Sequence, residues 1–221
     1  MDIYLETTDK KSFASAVAWP GWSRAGRDEA SAVQALFDYA PRYQRAMQGL
    51  NFQVPAAPEA LRVVERFPGT STTAFGAPDV IASADRLPLD DADFQRLAAA
   101  LRASFAEYER IYRSVGEREL ARGPRGGGRD LRGVTFHVLN GAASYLSKVG
   151  GKLKIDEGTP DLLAEWRRAT SEILAVLAHA AQHGVPEKGP RGGTNWPVRY
   201  FIRRLAWHVL DHAWEIEDRV L

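Results

Sequence analysis

The stretch Leu89–Val115, LDDADFQRLAAALRASFAEYERIYRSV, decides the fold class. Its apolar residues Phe94, Leu97, Leu101, Phe105, Tyr108 and Tyr112 recur at steps of three or four, so they fall on one face of a single long helix. The aspartates ahead of that face supply a cap, because a carboxylate there accepts from the unpaired amides of the first turn. A stripe this long needs equally long partners to cover it. Three further segments with helical periodicity follow, roughly Arg129–Val149, Pro160–His183 and Asn195–Leu221. Four such helices joined by loops predict an up-down-up-down four-helix bundle over residues 87–221.

Ahead of Pro88 the pattern is short-range. IYLE (3–6) and SFASAVAW (12–19) predict strands joined by a polar turn at Thr8–Lys11. Pro20-Gly21 ends the second strand, and Asp28 can cap a helix carrying Ala32, Leu36 and Tyr39, with Pro41 near its end. Prolines then punctuate Leu50–Leu89, where ALRVVERF (60–67) and TTAFG (72–76) predict further strands. The expected class is therefore α+β: a small α/β unit over residues 1–86, followed by the helices.

Composition narrows the function. The chain carries 29 basic and 28 acidic residues, a net charge of +1, which gives no global argument for nucleic acid or an anionic membrane. Arg199, Arg203 and Arg204 in RYFIRR read as a solvated helix face. With no cysteine, disulfides, thiolate ligands and a cysteine nucleophile are all excluded, so any metal is held by nitrogen and oxygen. No stretch approaches the ~20 apolar residues of a bilayer span, and MDIYLETTDKK has no basic segment followed by an apolar run. A soluble cytoplasmic protein is the expectation.

The histidines carry the chemical signal. His208 and His212 are four apart, about 40° apart in helical angle, with Glu215 on the same strip one turn on. They border the apolar stripe Val198, Ile202, Leu205, Val209, Ile216 and Val220, and His137 stands in a similar relation to Leu131, Val134, Val138, Ala142 and Tyr145. Three neutral imidazoles with positions left open suit Zn²⁺, Ni²⁺ or Fe²⁺. Asp211 and Glu215 are the candidates for orienting a ligand or accepting a proton. His179 and His183 have the same spacing but lie about 100° from their helix's apolar stripe, just before Gly184, and read as a solvated last turn.

GPRGG occurs twice, at residues 123–127 and 189–193. In an up-down-up-down bundle the second and fourth helices are parallel. Arg125 and Arg191 would then lie at one end beside two helix N-termini, where an anion or anionic substrate is favoured. The plainer reading is two helix-ending loops with a solubilising arginine.

TFHVLNGAASYL (135–146) and RRLAWHVLDHAWEIEDR (203–219) resemble the DinB/YfiT-like superfamily of metal-binding four-helix bundles. The resemblance implies a divalent ion on His137, His208 and His212, a small-molecule substrate and, in some members, transferase or isomerase activity with a low-molecular-weight thiol. IYLE…SFASAVAWPGWSRAGRDEASAVQAL is similar to the HicB-like partial RNase-H fold, through Pro20, Gly21, Gly26, Glu29 and Ala30. That second likeness implies the alternative, a non-catalytic metal-binding interaction module or antitoxin-like regulator, although no helix-turn-helix is evident. Trp19 and Trp22 read as ordinary packing, with a lid over the open end of the helices as the alternative. Nucleic acid and membrane are not expected partners; a homodimer is compatible with all of this.

Overall fold

The computed structural model describes residues 1–122, 128–189 and 192–221. Among them are four strands and seven α-helices, an α+β arrangement with the sheet at the N-terminal side. Strands β1 (Asp2–Thr7) and β2 (Ser12–Ala16) form an antiparallel hairpin in which Ile3 faces Ala16 and Thr7 faces Ser12. Thr8 closes its turn, with the amide of Lys11 donating to Thr8 Oγ1 at 3.1 Å. The short polar strand β3 (Ser23–Gly26), which has no sequence signal, pairs with β2, and β4 (Arg62–Pro68) pairs parallel with β1, giving the order β3-β2-β1-β4.

Helix α1 (Glu29–Asp38) begins at Asp28, whose carboxylate accepts from the Ser31 amide at 2.8 Å. Pro41 sits in the first turn of α2 (Ala40–Ala46), where its missing N–H is harmless. The TTAFG segment is not a strand. Its threonines form helix α3 (Ser71–Phe75), because Thr70 caps the amides of Thr72 and Thr73 and Thr73 bonds back to Thr70, a local bonding scheme that outweighs β-propensity. Trp22 is 1% exposed, donates Nε1–H to the Leu36 carbonyl at 2.9 Å and stacks on Tyr43. Trp19 meets Tyr43 and Phe52 edge-on. Both tryptophans pack beneath α1 and α2 rather than forming a lid.

Four long helices follow: α4 (Asp91–Val115), α5 (Leu131–Leu146), α6 (Leu162–His183) and α7 (Val198–Arg219). Asp90, Asp130 and Asp161 cap the first three. The stripe on α4 meets α6, where Tyr108 stacks on Trp166 with centroids 4.2 Å apart. Helices α4 and α7 are parallel, since Asp93 pairs with Arg199 near one end and Arg110 with Glu217 near the other. Helix α5 runs against α7: the Trp196 amide bonds to Lys148 at one end, and Arg219 bonds to the Arg129 carbonyl at the other.

Helices α5 and α6 run the same way. Arg132, at the start of α5, donates to the Glu157 and Thr159 carbonyls just before α6, while Gly151, just past α5, lies against Val176 of α6. The connector 150–161 therefore returns along α5 before α6 begins. An extended chain of that length spans ~40 Å, ample for a helix of roughly 24 Å. The expected up-down-up-down order is thus corrected: α4 and α7 point one way, α5 and α6 the other. The residues flanking the two GPRGG segments consequently lie at opposite ends of the α5–α7 pair, and the premise of a shared anion site fails. Arg125 and Arg191 themselves lie outside the described residues.

Helix α7 is covered on its second side by the sheet unit. Gly21, at φ +87°, allows the chain to approach Ala206 so closely that a Cβ would stand 3.0 Å from its backbone. Arg203 is buried and donates to Asp85 Oδ1 through Nε at 3.0 Å, to the Val17 carbonyl at 2.9 Å and to the Ala16 carbonyl. Arg203 and Arg204 are therefore interior groups, not the solvated face that their charge suggests. The apolar core is continuous from Ile3 and Leu5 in the sheet to Ile216 in α7.

Candidate metal centre

Antiparallel packing places two four-residue ladders face to face: His137, Gly141 and Tyr145 on α5, and Arg204, His208 and His212 on α7. His137 lies 4.8 Å from His212 and 5.3 Å from His208, ring centroid to ring centroid, and His208 lies 4.7 Å from His212. One ligating nitrogen from each histidine falls within 4.8 Å of the others. Nitrogens bound at ~2.0–2.1 Å to one tetrahedral ion stand roughly 3.3 Å apart, so small ring rotations close the set. Gly141 makes the approach feasible, since a Cβ there would come 2.7 Å from His208 Nε2.

The donor set fits a divalent ion. His208 Nε2 is buried with no hydrogen-bond partner among the described residues, which leaves it able to act as a ligand atom. His212 donates from Nδ1 to Glu215 Oε2 at 2.7 Å, which turns its Nε2 toward the cluster. Arg219 in turn donates to Glu215 Oε1 at 2.7 Å.

Electrostatics favour the neutral, ligating form of the imidazoles. Burial and, secondarily, the neighbouring His212 hold His137 below the ordinary histidine value. Burial pushes His208 well below it, with His212 and His137 acting in the same direction. The Glu215 carboxyl is held down at about 2, first by its hydrogen bond with His212, against the opposing effect of burial.

The two acidic candidates separate. Glu215 joins the cluster as a support for His212, whereas Asp211 turns to β3 and pairs with Arg24 at 2.9 Å, under a guanidinium that also lies 3.8 Å over the Tyr39 ring. The control pair remains apart: His179 and His183 are exposed, stacked on each other at 4.2 Å. Gly141, Tyr145 and Arg204 are the site neighbours that motif reading overlooked. Following the four-residue step one turn back from His208 and two turns on from His137 would have found all three.

No family model, curated protein or solved structure matches the chain. Among the described residues no helix is long and apolar enough to cross a membrane.

Proposed function

We propose that the protein is a divalent-metal-dependent enzyme whose ion is held by His137, His208 and His212, in a DinB-like four-helix bundle over residues 87–221 with a HicB-like unit over 1–86. The observation that carries the reading is the convergence of three imidazole nitrogens from two helices, one of them buried and unpartnered. A bound Zn²⁺, Ni²⁺ or Fe²⁺ would lower the pKa of a coordinated water or thiol toward neutrality. The chain's own residues do the rest. Glu215 orients His212, and burial keeps His137 and His208 unprotonated at neutral pH. Three protein ligands leave a position for substrate, which suits transfer or isomerisation with a low-molecular-weight thiol.

The test is turnover of a small electrophile with added thiols by the zinc-loaded protein, beside His208→Ala/His212→Ala. Activity that depends on both the ion and the histidines supports the enzyme. A tightly bound ion that admits no exogenous ligand and gives no turnover would instead favour the non-catalytic metal-binding or antitoxin-like module.

A further inference from the structure

Arg203 and Arg204 are adjacent, both buried, and differently provided for. Arg203 has a carboxylate, Asp85, and two backbone carbonyls. Arg204 is 6% exposed, and among the described residues its single hydrogen bond is from Nη1 to the Pro78 carbonyl. Its Nε is buried without a partner, and no described carboxylate lies within ion-pairing distance. Burying a guanidinium in this way is unfavourable unless a counter-charge completes it.

Glu6 feels its charge, but Glu6 is already engaged. Its oxygens accept from the Asp79 amide at 2.9 Å, from the Val80 amide at 2.8 Å and from Thr73 Oγ1, and burial lifts its pKa to about 7. What surrounds Arg204 instead is aromatic. Its guanidinium carbon lies 5.0 Å from the Trp207 ring centroid and 5.5 Å from that of Tyr145, contacts that favour a cation but do not occupy the in-plane Nε donor. The same Tyr145 ring lies 5.6 Å from His208, so the arginine and the histidine cluster flank one side chain, one helical turn apart on α7.

We propose that Arg204 is a carboxylate-binding subsite: the carboxylate of a small-molecule substrate docks on the Nε edge of its guanidinium, beside Tyr145, and the rest of that molecule reaches His137, His208 and His212. The placement of the reacting end rests on the metal-site reading, while the carboxylate contact does not. The Nε–Nη2 edge presents two parallel donors that match a carboxylate bidentately. A single positive charge also balances a carboxylate, whereas a phosphate dianion in this buried setting would need a second cation.

The probes are sodium acetate and, in a separate arm, inorganic phosphate. Each is titrated at pH 7.5 into the full chain, zinc-free and zinc-loaded, by calorimetry and by the ¹H–¹⁵Nε spectrum of the arginines, with Arg204→Gln and Arg204→Lys alongside. Saturable acetate binding to the zinc-free protein is expected, with a shift of the Arg204 Nε resonance and a loss of tenfold or more in Arg204→Gln. Lysine, which lacks the fork, should fall between the two, and phosphate should bind at least tenfold more weakly than acetate.

An unmoved Nε resonance, or equal binding by wild type and Arg204→Gln, overturns the proposal. Phosphate binding more tightly than acetate overturns its carboxylate assignment. Should the glutamine variant fail to fold, the wild-type resonance and the lysine variant still decide. Zinc uptake measured on the same preparations separates the two readings: Arg204-dependent acetate binding by a protein that takes up no zinc leaves this subsite standing and the metal centre refuted, and zinc uptake without acetate binding does the opposite.

Discussion

The substitution Gly141→Ala probes the metal centre through the position that allows the helices to meet. The added methyl would stand 2.7 Å from His208 Nε2 and 3.3 Å from its Cδ2. Ordinary carbon–nitrogen contact is about 3.4 Å, so the ring must retreat by roughly 0.7 Å. Coordination tolerates only ~0.2 Å around a 2.0–2.1 Å bond, and the ion loses one of three ligands. Loss of an outer partner typically weakens binding ~10–100-fold, and loss of a direct ligand should exceed that, so a fall in zinc affinity of more than about 100-fold is expected. The fold should survive. Alanine improves helix propensity by up to about 1 kcal/mol, against ~1–3 kcal/mol for the crowded contact. Competition with a chromophoric chelator gives the affinity, and thermal melting of the zinc-free protein gives the stability. A folded Gly141→Ala protein that binds zinc within threefold of wild type would refute the assignment of His208 as a ligand.

Glu215→Gln keeps the shape of the group that orients His212 but removes its charge; zinc affinity should drop ~10–100-fold, while Glu217→Gln, which alters the same charge beside Arg42, should leave it unchanged. The zinc-free protein should lose stability on acidification. His137 and His208 take up protons in the unfolded chain near 6.5 but resist them when folded, so the unfolded state binds more protons below that pH. Glu215 adds a loss of the same sign between 4.5 and about 2, and a urea midpoint that is flat from pH 7.5 to 5 would count against neutral buried imidazoles. Asp85→Ala strands the buried Arg203 charge and should cost about 3–5 kcal/mol, a drop of roughly 6–20 °C in Tm. Asp2→Asn, at the exposed pair with Arg62, should leave the melting temperature where it is, and a comparable drop in both variants would show that burial is not what matters.

Sequence periodicity located the four long helices because each buries an apolar stripe, and the hairpin because strand and turn residues coincide there. Helix direction was not legible. It depends on the path of the 150–161 connector, whose length permits either crossing, and tertiary contacts such as those of Arg132 and Gly151 distinguish them. The histidine trio was legible because equal spacing and proximity to the core agreed, and the same test set His179 and His183 aside. Arg203 and Arg204 were misread because α7 has two packed sides: charge on a helix marks solvent only where nothing covers it, and here the sheet unit does. Asp211 was misplaced for a related reason, since β3, the strand that carries its partner Arg24, has no sequence signal.

The measurement that bears most directly on the central claim is the metal content of the purified, untagged protein after incubation with Zn²⁺, Ni²⁺ or Fe²⁺. It is made beside His208→Ala/His212→Ala and a His179→Ala/His183→Ala control. About one equivalent of a single metal in wild type and control, absent from the first variant, is the result the three-histidine centre predicts. A wild-type chain that remains metal-free, or a first variant that retains its equivalent, would contradict it.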